Sequence, residues 1–139
     1  QRGARVLGID FDPQVIFAWH QRGYPAQYGD ADDPELPGYL PLQHASWVVC
    51  TVPRVQTNRT LLESLQQFGY SGRIALTSHH ASDAESLREE GVDLILMPFV
   101  DAAKEAAESL IAFNGKTSNE GVKLHETTTS LLTEKPSNK

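Results

Sequence analysis

With 139 residues, 40% of them hydrophobic and 22% charged, the chain can build a core for one globular domain and is too short for two comfortable ones. No apolar run approaches the roughly 18 to 20 residues needed to cross a bilayer, and the N-terminus lacks the basic-then-apolar layout of a secretory signal. The net charge of −6 is uneven, with 8 Lys and Arg against 15 Asp and Glu in residues 1–113, and no Lys/Arg cluster exists to neutralise phosphates, so duplex nucleic acid is disfavoured while small ligands and protein partners remain.

In chain order, "RVLGID" is a short apolar run that ends in a carboxylate, and it reads as a buried strand. "DPQVIFAWHQRG" follows as a helix, with Asp12 as N-cap, Pro13 at the first helical position, and Val15, Ile16 and Trp19 toward one side. A second strand leads into "YGDADDPE", where Asp33 and Pro34 repeat the capping device, although Pro37, Gly38 and Pro41 predict a short and irregular helix. "WVVCTV", Trp47 to Val52, is the next strand. "TNRTLLESLQQFG" is a helix, "RIALTS" a strand, "SDAESLREEG" a helix, "VDLILMP" a strand and "VDAAKEAAESLIAF" the strongest helix in the chain. Gly3, Gly23, Gly69 and Gly91 each precede an extended apolar run, which predicts the repeated unit of helix end, turn and strand. Alternating units of this kind imply a Rossmann-like, doubly wound parallel α/β sheet over residues 1–113. From Asn114 the composition turns to Thr, Ser, Lys and Glu, so residues 114–139 are expected to form a polar linker or tail, with a short docked piece around Val122 to Leu124.

The carboxylates at the strand ends carry the chemistry. Asp12 is explained by capping the helix behind it. Asp10 has no such local task and lies at the carboxyl end of a parallel strand, where open α/β sheets bind ligands. A carboxylate there can accept both vicinal hydroxyls of a ribose; the alternative is a carboxylate satisfied by nearby main-chain N–H groups. Asp30 ends the next strand, followed by the small Ala31, and Thr51, Val52 and Asn58 follow the run after that.

At these residues, "IDFDP" paired with "YGDADDPE" about 20 residues later, the chain resembles the regulator-of-K⁺-conductance (TrkA-N type) nucleotide-binding domain of potassium channels, uptake systems and cation/proton antiporters, over roughly residues 1–112. The resemblance implies that Asp10 binds an adenosine ribose, that Asp30 and Ala31 lie beside the adenine, and that the loop of Thr51 and Val52 passes close to the cofactor. With Phe11 and Asn58 these form the candidate cofactor set. It further implies NAD(H), AMP, ADP or ATP as ligand, no metal, a transporter or channel domain as partner, a homodimer or larger assembly, and a place on the cytoplasmic side of the inner membrane.

The family's pattern also has an earlier strand, G-x-G-x-x-G loop and helix, which this sequence does not show before "QRGARVLGID". In the order 3-2-1-4-5-6 that strand is central, so the second and fourth strands are expected to have unpaired inner edges. Three explanations are open: a fragment whose first βα unit is absent, a unit supplied by another copy or chain, or a rearranged sheet; the first two are favoured.

Other chemistries fit less well. An NAD-dependent oxidoreductase fragment is the alternative, but none of the four tyrosines has Lys four residues on. Asp10 and Asp12 resemble the acidic pair of a phosphate-receiving domain, but "LTSHH" lacks the lysine that chemistry requires. His79, His80 and Asp83 lack a convincing third ligand spacing for a metal. Cys50, the single cysteine, excludes an intramolecular disulfide, fits a reducing, cytosolic compartment, and reads as a buried thiol; Trp19 and Trp47 read as packing residues.

Overall fold

A computed structural model of the chain describes residues 3–132. Among them five short strands and four α-helices follow in order, each strand but β2 leading into a helix: β1 (Gly8–Asp10), α1 (Pro13–Gln21), β2 (Ala26–Tyr28), β3 (Trp47–Cys50), α2 (Val55–Gln67), β4 (Arg73–Thr77), α3 (Ala81–Glu89), β5 (Leu94–Leu96) and α4 (Pro98–Leu132). The chain divides into two compact units, the first ending at Pro98 and the second beginning at Phe99.

In the first unit every strand pairing is parallel, as the βα repeat demands. The strands form two sheets, β1-β2 and β3-β4-β5, rather than one. Gly8 is in register with Ala26 and Asp10 with Tyr28, while Val49 pairs with Ala75 and Ala75 with Leu94. Among the described residues β1 pairs only with β2 and β3 only with β4, which leaves the unpaired inner edges expected of a sheet interrupted at its centre.

Local chemistry explains the elements. The Asp12 side chain accepts a hydrogen bond from the main-chain N–H of Gln14, and Pro13 occupies the first turn of α1, so the predicted cap is in place. Trp19 then lies over β1, where a Cβ on Gly8 would come within 2.8 Å of its ring, and the tyrosine ring of Tyr24 meets it edge-on at 5.9 Å. Gly23, Gly69 and Gly91 have φ of 75°, 71° and 91° and end their helices as predicted; Gly3 is not among the positive-φ glycines.

The core lies between α2, α3 and the three-stranded sheet. Leu61, Leu62 and Leu65 of α2, spaced to share one helix face, pack with Cys50, Ile74, Leu76, Leu87 and Val92. Only the central strand β4 is buried on both faces; on its flanks Val49 is 53% and Leu94 46% exposed, so the expectation of strands covered on both sides holds for β4 alone. The proline-rich stretch after β2 forms two 3-10 turns, Leu36–Tyr39 and Leu42–His44, because Pro37 and Pro41 deny it main-chain donors.

The second unit is helix α4. It runs through the expected boundary at 113/114 as far as Leu132, since neither Asn114 nor Gly115 breaks the backbone ladder. The expected docked piece at Val122 to Leu124 concerns side chains outside the described residues, as does the tail from residue 133.

Candidate functional site

The candidate residues gather at the carboxyl ends of the strands, where parallel strands of both sheets release their chains. Asp10 is half-buried at the tip of β1. Its Oδ1 accepts the main-chain N–H of Asp12 at 2.8 Å, an Asx turn that fixes χ1, while Oδ2 has no hydrogen bond among the described residues. The carboxylate is thus oriented by its own main chain and still has acceptor capacity. Its carbonyl accepts the N–H of Gly29 at 3.0 Å, which carries the β1-β2 ladder one step further and brings the second acidic turn against the first.

Gly29 itself is buried between Ile9 and Leu36, and a Cβ there would come within 2.8 Å of the Ile9 Cγ2. That tight seat sets the start of the turn Asp30–Asp33. Asp30 Oδ1 accepts the N–H of Asp32 at 2.9 Å and Asp33 Oδ1 that of Glu35 at 2.9 Å, so both carboxylates shape the turn with one oxygen each. Ala31 is half-buried beside them. Phe11 is 65% exposed directly after Asp10.

The loop after β3 supplies the facing group. Thr51 is exposed, and Val52 is half-buried against the core. Arg54, at the start of α2, donates from Nη2 to Asp32 Oδ2 at 2.7 Å and so ties the turn after β2 to the loop after β3. Asn58 is fully buried. Its Nδ2 donates to the Thr77 carbonyl at 2.8 Å, and Thr77 Oγ1 donates to the Cys50 carbonyl at 2.8 Å, so these side chains lash α2 to the ends of β4 and β3. Asn58 Oδ1 has no partner among the described residues. Asn58 therefore supports the loop from within the fold, whereas Asp10, Phe11, Asp30 and Thr51 stand on the accessible rim.

A cleft of about 450 Å³ opens beside this rim, lined by Gln27, Tyr28, Gly29, Asp30, Asp33, Leu36 and Tyr39. It takes in Asp30 but not Asp10, Ala31, Thr51 or Val52. Tyr28 and Tyr39 carry no local signal in the sequence; Tyr28 falls on an outward position of a strand, and Tyr39 ends the 3-10 turn Leu36–Tyr39, its carbonyl accepting from Gln27 Nε2 at 3.3 Å. A second cleft, of about 460 Å³, lies between the 3-10 turns and the Phe68–Gly72 turn, away from the candidate residues.

The Cys50 thiol is 5% exposed and its pKa is raised, chiefly by burial; a main-chain hydrogen bond at Val52 offsets part of this, and the charge of Asp32 adds a smaller rise. It is a packing group, as expected. No group of three or more His, Cys, Asp or Glu suited to a metal occurs among the described residues. No described helix is long and apolar enough to cross a membrane.

Comparison with known proteins agrees with this architecture. The TrkA-N domain family matches residues 1–98. Among solved structures, the TrkA-N domain of the inner membrane protein ybaL from Escherichia coli superposes with a TM-score of 0.67 at 20% identity, covering 76% of this chain and 78% of that one. The NAD(P)-binding domain of an exopolyphosphatase-related protein from Archaeoglobus fulgidus gives a TM-score of 0.67 at 24% identity, over 79% and 81% of the two chains. The GsuK channel bound to NAD aligns with a TM-score of 0.57 at 15% identity, over 66% of this chain and 16% of that one. No curated protein sequence matches.

Proposed function

The chain belongs to the TrkA-N domain family, and on that premise we propose that it is a non-enzymatic regulatory module which binds an adenine nucleotide, NAD(H), ATP, ADP or AMP, and thereby gates potassium or cation/proton transport. The observation that carries this reading is Asp10. Its carboxylate stands at the carboxyl end of a parallel strand, held by one hydrogen bond and with Oδ2 available to a ribose hydroxyl. Phe11, Asp30, Ala31, Thr51 and Val52 complete the rim, with Asn58 bracing it from below. The NAD held by the GsuK channel, a structural relative, supports a dinucleotide as one ligand.

Such a module works by population shift. A nucleotide that binds one arrangement of paired domains better than another transmits that difference in free energy, and no more, to a membrane partner on the cytoplasmic side. Assembly as a homodimer through α4 fits this role.

The test is titration calorimetry of the full chain with adenosine and AMP. Replacing Asp10 by Ala should weaken adenosine binding by about 1.5 to 3 kcal/mol, the range for hydrogen bonds to a charged group. An affinity that ignores the substitution removes Asp10 from the site.

A further inference from the structure

The ion pair of Arg54 and Asp32 joins two loops that belong to different sheets, and those sheets share no strand pairing. Both side chains are well exposed, at 68% and 42%. Asp30 and Asp33 share the turn with Asp32, and the start of that turn is bonded to the Asp10 carbonyl at the end of β1, so a ligand phosphate arriving at this rim meets several negative charges. Arg54 is the cation placed among them, and its charge is occupied by Asp32.

Resting on the nucleotide reading above, we propose that Arg54 reads the phosphate charge of the bound nucleotide and that Asp32 is its built-in competitor. A guanidinium offers a planar fork of donors that matches phosphate oxygens as well as it matches a carboxylate. An exposed ion pair is weak enough to be exchanged for a better anion.

The surrounding bonds decide what moves. The Arg54 carbonyl accepts the N–H of Asn58 at 3.1 Å, and Asn58 is fully buried and bonded to β4, so the arginine main chain is anchored. Asp32 sits in an exposed turn whose N–H is held by Asp30 Oδ1. When phosphate takes the guanidinium, the Asp30–Asp33 turn is released from α2 while Arg54 stays. Ligand charge is thereby converted into the freedom of the turn beside the adenine.

The experiment is a double-mutant cycle read as the ratio of ADP to adenosine affinity, measured by calorimetry on the full chain at low salt. Arg54→Gln should lower the ratio about ten-fold, in keeping with loss of a hydrogen bond to a charged group. Asp32→Asn should raise it about three-fold, chiefly by freeing Arg54, and the gain should fall well below that in the Arg54→Gln background. A ratio indifferent to Arg54 overturns the inference, and so does a gain from Asp32→Asn that is undiminished without Arg54, since that gain is through-space repulsion alone. Adenosine binding in every variant keeps these outcomes separate from the nucleotide reading; absence of adenosine binding in the unaltered chain removes both.

Discussion

Cys50 and Asp10 both end strands within a few residues of a polar rim, yet their surroundings assign them opposite fates. Cys50 is enclosed by the leucines of α2 and by β4, and burial holds its thiol above the ordinary 9.0. The thiol is therefore neutral and shielded in the native chain, and alkylating reagents should label it only as fast as the protein unfolds. The sign of the pH dependence follows. As pH rises past 9.0 the unfolded thiol ionises before the native one, so the unfolded state binds fewer protons and stability falls until the native thiol also titrates. Urea midpoints measured from pH 8 to pH 10 should drop more steeply for the native sequence than for Cys50→Ala. Equal slopes would show that burial does not control the group.

At the level of elements, legibility in the sequence tracks how local the cause is. The α1 cap, the three helix-ending glycines and the α2 stripe are written in a few adjacent residues, and each stands where sequence reasoning places it. What depends on distant partners was not legible. The pairing of Arg54 with Asp32 spans 22 positions, and no local pattern announces it. Asp93 holds the N–H of Ile74 through Oδ2 at 2.8 Å across 19 positions, and in sequence it is one acid before an apolar run. Asn58 looked like a rim residue because polar side chains after a strand usually are; only the buried Thr77 carbonyl above it reveals a brace. The α2 stripe also predicts a cost. Leu65 is 1% exposed within the core cluster, so Leu65→Ala should lower unfolding free energy by about 2 to 5 kcal/mol, measured by urea denaturation. A loss below about 1 kcal/mol would mean that the space collapses, and that α2 is less fixed than its contacts suggest.

For the whole molecule the proposed regulatory role needs a surface on which a neighbour can dock, and the homodimer proposed above puts that surface on α4. Along residues 99–113 the apolar side chains Val100, Ala103, Ala106, Ala107, Leu110 and Ile111 fall within one half of the helix, with Asp101, Lys104, Glu105 and Glu108 on the other. Leu110 is 65% and Ile111 72% exposed. Large apolar groups in a contiguous stripe favour burial against another surface, and the small alanines between them allow a second helix to approach closely. A self-complementary stripe suits a two-fold pair, because the same residues serve both partners. If the dimer forms this way, Leu110→Glu places a charge at the centre of the seam, where an unpaired carboxylate is costly to desolvate. Sedimentation velocity of the full chain should then show the native sequence as a dimer and Leu110→Glu shifted to monomer, with far-ultraviolet circular dichroism unchanged. A dimer that survives both Leu110→Glu and Ile111→Glu would place the contact elsewhere. The nucleotide control of transport proposed above would then have to pass through a different surface.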